Sequence, residues 1–437
     1  MIDFFSSLNK LKFLNDKSNL SFDAAFFENK LSSSIKKLLV LISMDNLPLS
    51  VSTYLYCLSR GHTTILINKS ANKQIINEFK EQYKPNFVCT ENKIESYNRE
   101  DLNIQSDLAL LLATSGSTGK QKCVKLSYDN LISNMNSIAE YLDITRDKIP
   151  LLNLPLSYSY GISVLHSHLL KSNEIIFSTT QPLDRDFFEI LNDNKITNIY
   201  GVPFTIELLV RRGISNHDLQ YLTDICQAGG HLSSRIKLNL LDYCEKMSKN
   251  LFVMYGQTEA APRISFVPPE MLRKKIDSIG IAIPGGKLSI DSDSDEIIYE
   301  GKNVMLGYAS NSSDLMHSSP SHELRTGDLG YKDSDGYFYI TGRLKRIIKI
   351  AGTRYNLDSL EKILSENFTL PVYCLGNDEN LFVFSESEID PKSIKRFLSD
   401  TSNINSTKVS FNHIPEIPLL ENKKIDYKKI SKEYLSL

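Results

Sequence analysis

The sequence predicts an α/β fold: a large N-terminal domain of βαβ-type parallel sheets with a small β-subdomain, followed by a small α+β C-terminal domain. Two observations predict it. Short runs rich in Leu, Ile and Val alternate with helical patterns through the first 256 residues, and from about residue 280 the texture changes to short strands and turns.

In order, LLVLIS reads as a strand, residues 49–60 as a helix, TTILIN as a strand, residues 71–82 as a helix and NFVCT as a strand. The alternation continues through LALLLAT, a helix over 127–142, LLNLPLS, EIIFST, NIYGVP, DICQAG and LFVMYG. GKLSIDSDSDEIIYEGKNVMLGY and DSDGYFYITGR then read as mainly antiparallel. The remainder mixes strands with helices at about 357–366 and 391–400 and ends on the basic stretch ENKKIDYKKISKEYL. No fixed period repeats.

Composition bounds the function. With 437 residues, 41% of them hydrophobic, the chain can bury a large core in two or three domains. Its 50 basic and 52 acidic side chains leave a net charge of -2, so no global field draws it to nucleic acid or to an anionic membrane. Any anion site must be local. Six scattered cysteines form no CxxC pair and no Cys/His cluster, which reads as reduced thiols in a cytoplasmic protein. The N-terminal MIDFFSSLNKLKFL lacks the pattern of a secretion signal. The most apolar early stretch is broken by Asp45 and Pro48, well short of the roughly 20 residues a membrane span needs.

Between LALLLA and CVKLSYDNL, which reads as the start of a helix, lies TSGSTGKQK. It is not a Walker A loop, because Thr114 stands where that pattern has its first glycine and Gln121 where it has a hydroxyl. Gly116 and Gly119, the hydroxyls of Thr114, Ser115, Ser117 and Thr118, and Lys120 and Lys122 still suit a phosphate; the same composition also suits a plain turn. In YGQTEA, Thr258 and Glu259 sit side by side at a strand end, either as oxygen ligands for a Mg-triphosphate or as a helix cap with an acidic first turn. In ELRTGDLGY, Asp328 between two glycines can accept both hydroxyls of a ribose or serve as a turn residue. GRLKRIIKIAGTRYNL alternates cations with Ile and Leu, as a strand whose cations point one way.

The order TSGSTGKQK, LPLSYSYG, YGQTEA, RTGDLGY, GRLKRIIKIAGTR and ENKKID resembles the adenylate-forming superfamily of acyl-CoA synthetases, luciferases and adenylation domains of nonribosomal peptide synthetases. The resemblance covers residues from about 108 to 426. It implies that a carboxylic acid attacks the α-phosphate of Mg-ATP to give an acyl-adenylate and pyrophosphate, after which a thiol displaces AMP.

By this resemblance, residues 114–122 hold the β- and γ-phosphates, with Ser115, Ser117, Thr118 and Lys122 as donors, although Gln121 replaces a common proline and Cys123 a common glycine. Gly229, Gly230 and His231 of AGGHL, with Tyr255 and Gly256, pack on adenine. Thr258 lies near the α-phosphate, Glu259 on Mg²⁺, and Asp328, helped by Arg343, on the ribose. Lys424 of NKKID is the counterpart of the catalytic lysine, with Lys423 where a glycine is common.

Residues 1–343 are then the N-terminal adenylation domain and 344–437 a small mobile domain that swings between half-reactions, with Lys345 as hinge and Gly352 lining the thiol path. Tyr158, Tyr160, Gly161, Val202, Pro203 and Ala228 are the expected walls of the acid pocket.

Amino-acid-activating members of the superfamily hold the substrate's ammonium with an aspartate near LPLSYSYG. No acidic residue lies between Asn153 and Asn173, which favours a simple carboxylic acid. The expected thiol is CoA or the phosphopantetheine of a separate acyl carrier protein. The alternatives are activation of an amino acid, transfer of the acyl group to an amine, or a nucleotide-binding protein without turnover. Retention of Lys122, Glu259, Asp328, Arg343 and Lys424 argues against the last.

Overall fold

The computed structural model describes residues 4–14, 24–31, 37–91, 93–113, 122–317, 321–377, 379–419 and 425–435. Two compact units are present, residues 1–288 with 299–324 and residues 289–298 with 325–437.

The first unit holds two large mixed sheets. At the centre of the seven-stranded one, Leu39–Met44, Thr63–Asn68 and Leu108–Ala113 run parallel. Every residue of Leu39–Met44 is buried, which is why its sequence LVLISM runs on without polar alternation. Helices Pro48–Ser59 and Lys73–Tyr83 return the chain between strands. Pro48 opens the first, where a missing N–H costs nothing, and the Asn72 side chain accepts from the Ile75 N–H to open the second.

The eight-stranded sheet aligns Asn198–Gly201, Asp224–Gln227 and Asn250–Gly256 in parallel, and Arg263–Val267 returns antiparallel along the last of these. Pro150–Leu152, Ile175–Phe177 and Leu11–Phe13 extend its other side, also in parallel. Helices Tyr128–Tyr141 and Ser159–Leu170 share one apolar core with strands of both sheets. Each fully buried Leu, Ile or Phe there contributes roughly 1.5–3 kcal/mol of transfer free energy.

Two local expectations are corrected. CVKLSYDNL does not begin as a helix: Cys123–Ser127 is a fully buried strand, antiparallel to Leu108–Ala113. The helix starts only at Tyr128, because the Ser127 and Asn130 side chains form a reciprocal capping box there. LLNLPLS is a strand only over Pro150–Leu152, since Pro155 follows too closely for a longer run.

In the second unit, the strand Glu323–Lys332, from Arg325 onward, and Phe338–Arg343 form a hairpin, and Ile347–Ile350 and Thr353–Asn356 a short ribbon. Tyr373–Gly376, Leu381–Ser385 and Val409–His413 make a three-stranded sheet. Helices Leu357–Phe368 and Pro391–Ser402 close a separate core through Leu360, Leu364, Ile394 and Leu398. Among the described residues no helix is long and apolar enough to cross a membrane. The six cysteines are buried free thiols.

Candidate functional site

Register makes the site of the first unit. Gly201 pairs with Gln227 and Gln227 with Val253, so two parallel strands end side by side and the third runs on beside them to Gly256. The turns beginning at Val202, Ala228 and Gln257 leave from that side, the carboxyl side on which open α/β sheets bind ligands. Val202 is the cap of helix Pro203–Arg211. Gly229 has φ +90°, and a Cβ there would lie 3.3 Å from Val202 Cγ1 and 4.0 Å from Tyr160 Cδ1. A Cβ on Gly230 would lie 3.2 Å from Pro203 Cγ. The Gln227 amide donates to the Gly230 carbonyl at 2.9 Å and ties the turn to its strand, while His231 is exposed.

Tyr158 precedes helix Ser159–Leu170. Tyr160, in its first turn, is buried and donates its hydroxyl to the Cys226 carbonyl at 2.9 Å, beside buried Ala228. At Gly161 a Cβ would stand 2.5 Å from the Pro155 carbonyl oxygen, so only glycine lets the helix approach the preceding turn. That approach brings the Ser159 hydroxyl to 3.1 Å from the Thr258 hydroxyl.

Gly256 serves the same end, because a Cβ there would stand 1.9 Å from the Pro262 carbonyl oxygen. Thr258–Ala260 is a single 3₁₀ turn capped at Gln257, with no side-chain cap bond. The helix-cap reading of Thr258 is therefore wrong, and its hydroxyl faces Ser159 instead.

Glu259 is half-buried, and its Oε1 accepts from the Tyr308 hydroxyl at 2.8 Å. Burial and the Glu259 charge push the Tyr308 phenol well above its ordinary value, which keeps it a donor. Oε2 of Glu259 takes no hydrogen bond from the described residues. A hydroxyl and an open carboxylate oxygen fit Mg²⁺, which takes one or two protein oxygens and shares the rest with phosphates. No group of three or more metal-ligating side chains occurs among the described residues.

In the second unit, Asp328 and Arg343 face each other in register across the hairpin, with Arg343 Nε donating to Asp328 Oδ1 at 3.0 Å. Asp328 lies inside a strand and is buried, which corrects the turn reading. Lys345 is exposed in the one-turn helix Leu344–Arg346. The cations that follow do not all point one way: Arg346 turns inward to Asp358 and Glu361, whereas Lys349 is exposed. Gly352, with φ +85°, turns the ribbon.

Lys122 is exposed just ahead of the Cys123–Ser127 strand. Thr114, Ser115, Gly116, Ser117, Thr118 and Gly119, and also Lys424, lie outside the described residues. Sequence reasoning passed over Ser159 and Tyr308, the hydroxyl partners of Thr258 and Glu259. Ser159 was visible within LPLSYSYG, but Tyr308 is 49 residues from Glu259 and no spacing rule points to it.

The family model for AMP-binding enzymes matches residues 57–309. A 2-succinylbenzoate–CoA ligase of Bacillus subtilis (strain 168) is 28% identical over 285 residues, 63% of this chain and 56% of that protein. Its counterpart from Staphylococcus aureus (strain MSSA476) is 25% identical over 340 residues, 74% of this chain and 67% of that protein. The match to the Bacillus protein thus spans little more than half of its length. Among solved structures, o-succinylbenzoate CoA synthetase from Bacillus subtilis in complex with an acyl-adenylate intermediate superposes with a TM-score of 0.79 at 19% identity over 98% of each chain. McyG A-PCP complexed with phenylalanyl-adenylate gives 0.73 at 17% identity, over 99% of this chain and 82% of that one. These likenesses show the two-domain α/β fold, and with more than half of its length matched by the family model, the chain belongs to the AMP-binding enzyme family.

Proposed function

We propose that the protein is an ATP-dependent acid:thiol ligase. A carboxylate oxygen of the acid attacks the α-phosphorus of ATP, pyrophosphate leaves, and the acyl-adenylate then yields its acyl group to a thiol as AMP departs. The observation that carries this reading is the turn that follows strand Asn250–Gly256, where Thr258 lies 3.1 Å from Ser159 and one Glu259 oxygen takes no hydrogen bond from the described residues. Membership of the AMP-binding family supports it.

In this reading the hydroxyls of Thr258 and Ser159 donate to α-phosphate oxygens as charge grows on them. Glu259 holds Mg²⁺, which neutralises phosphate charge when bound. Tyr255, Gly256, Gly229, Gly230 and His231 take the adenine, Asp328 and Arg343 the ribose, and residues 114–122 the outer phosphates. Lys424 supplies the cation between carboxylate and α-phosphate, and residues 344–437 move about Lys345 between the two half-reactions. Tyr158, Tyr160, Gly161, Val202, Pro203 and Ala228 wall the acid.

CoA is the thiol we favour, as in the names of the relatives, with a carrier-protein phosphopantetheine as the alternative. Free buried cysteines support a reducing, cytoplasmic setting. Trapping with hydroxylamine tests the reading: with ATP and Mg²⁺ one acid class, 2-succinylbenzoate included in the panel, gives an acyl-hydroxamate, and Lys424→Ala abolishes it with ATP binding intact. Hydroxamate formation unaffected by Lys424→Ala removes that lysine from the chemistry.

A further inference from the structure

We propose that Arg263 determines which acid is taken, by binding a second carboxylate on the substrate. The inference rests on the acid-activating reading above and concerns the far end of the acid, away from the phosphate.

Arg263 opens the strand that returns from the site, in register with Gly256, and is only 2% exposed. The Asn303 amide holds its carbonyl at 2.8 Å. Its guanidinium carbon lies 4.2 Å from the centroid of the Tyr160 ring, whose Cδ1 faces the Gly229 turn. The guanidinium therefore sits against a side chain that also lines the strand-end edge and neighbours Ser159 and Thr258.

What surrounds the charge is neutral. The polar groups that feel it are the Tyr141 phenol, which shares a side-chain hydrogen bond with it, the Tyr160 phenol and the Cys226 thiol, all three pushed upward by burial. No carboxylate among the described residues pairs with Arg263, and its Nε is buried without a hydrogen-bond partner.

Among the described residues the other inward-facing cations are answered, Lys237 by the Ile276 carbonyl. Lys148 meets Asp224 at 2.6 Å, Arg346 meets Asp358 and Glu361, and Lys125 donates to the Asp314 and His317 carbonyls. A guanidinium buried without a counter-charge is costly to the folded protein, and its fork matches a carboxylate bidentately. A second carboxylate on the bound acid supplies the missing partner. A monocarboxylic acid leaves it missing, which makes Arg263 a discriminator as well as a ligand.

The test compares matched acids on the whole enzyme: phthalate with benzoate, glutarate with butyrate, and 2-succinylbenzoate alongside. With ATP, Mg²⁺ and hydroxylamine, a dicarboxylic acid should exceed its monocarboxylic partner about 100-fold in kcat/KM, mainly through KM. Arg263→Gln should erase that preference and leave the monoacid within about threefold, and Arg263→Lys should restore part of it. Melting temperature with acid alone gives an independent readout: the dicarboxylic acid raises it in the wild type and not in Arg263→Gln.

Equal loss with both acids in Arg263→Gln, or a wild type that neither prefers nor is stabilised by any dicarboxylic acid, overturns the proposal. A wild type that activates monoacids only overturns this inference and leaves the ligase reading standing. Stabilisation by a dicarboxylic acid without any acid-dependent pyrophosphate release does the reverse.

Discussion

Tyr308 donates its phenolic hydroxyl to Oε1 of Glu259 at 2.8 Å, fixing one oxygen of the carboxylate and leaving the other open. A donor that orients a metal-binding carboxylate from behind typically changes metal affinity by about 10- to 100-fold when removed. Tyr308→Phe should therefore raise the Mg²⁺ concentration for half-maximal pyrophosphate release by about tenfold, with little change in stability because Tyr308 is itself exposed. An unchanged Mg²⁺ requirement would take Glu259 out of the metal role.

Asp328 is buried and its Oδ1 accepts from Arg343 Nε at 3.0 Å. If it accepts from a ribose, Asp328→Asn loses a charge-assisted hydrogen bond of roughly 1.5–3 kcal/mol, which is about 10- to 100-fold in ATP affinity. Deoxy-ATP should then lose its disadvantage relative to ATP in the variant. Equal ATP affinity in Asp328→Asn and wild type would place the ribose elsewhere.

Gly256 has no room for a methyl group, since a Cβ would stand 1.9 Å from the Pro262 carbonyl oxygen. Gly256→Ala must push the Pro262–Arg263 backbone away from the strand, at a cost of about 1–3 kcal/mol or more. A thermal melt should show a fall of several degrees, and adenylation should drop more than stability does, because Arg263 and the Thr258 turn move with that backbone. A variant that melts and turns over like the wild type would contradict the close approach.

Most of this architecture could be read in advance, for a physical reason. Buried parallel strands such as LVLISM and LALLLA are continuous apolar runs, and the glycine of YGQTEA marks a strand end directly, whereas RTGDLGY runs on inside a strand. Cys123–Ser127 escaped because a five-residue strand abutting a helix has no periodicity of its own, and only the Ser127/Asn130 capping box separates the two. Thr258, Glu259, Asp328 and Arg343 were legible as polar residues in short motifs. Tyr308, and the lack of a carboxylate beside Arg263, were not, because each depends on which distant segments the sheets bring together.

Glu361 gives a pH signature in the second unit. Burial pushes its carboxyl up to about 7, with Arg346 pulling it back down. The Tyr427 hydroxyl donates to it at 2.9 Å and the Cys374 N–H at 2.7 Å. A carboxyl held above its unfolded value binds its proton more tightly when folded, so its favourable contribution is full below the unfolded value and is lost as pH rises through about 7. The stability of the wild type relative to Glu361→Gln should fall between about pH 4.5 and 7, by on the order of 3 kcal/mol, as followed by denaturant melts. A difference that rises with pH over that window would show that Arg346 outweighs burial.

Cleavage of ATP between its α- and β-phosphates in answer to an acid is tested most directly by product identity. The protein, incubated with ATP, Mg²⁺, CoA and the acid panel, should form AMP, pyrophosphate and acyl-CoA in equal amounts and only when the right acid is present. ADP with inorganic phosphate, or AMP release that no acid changes, would contradict it.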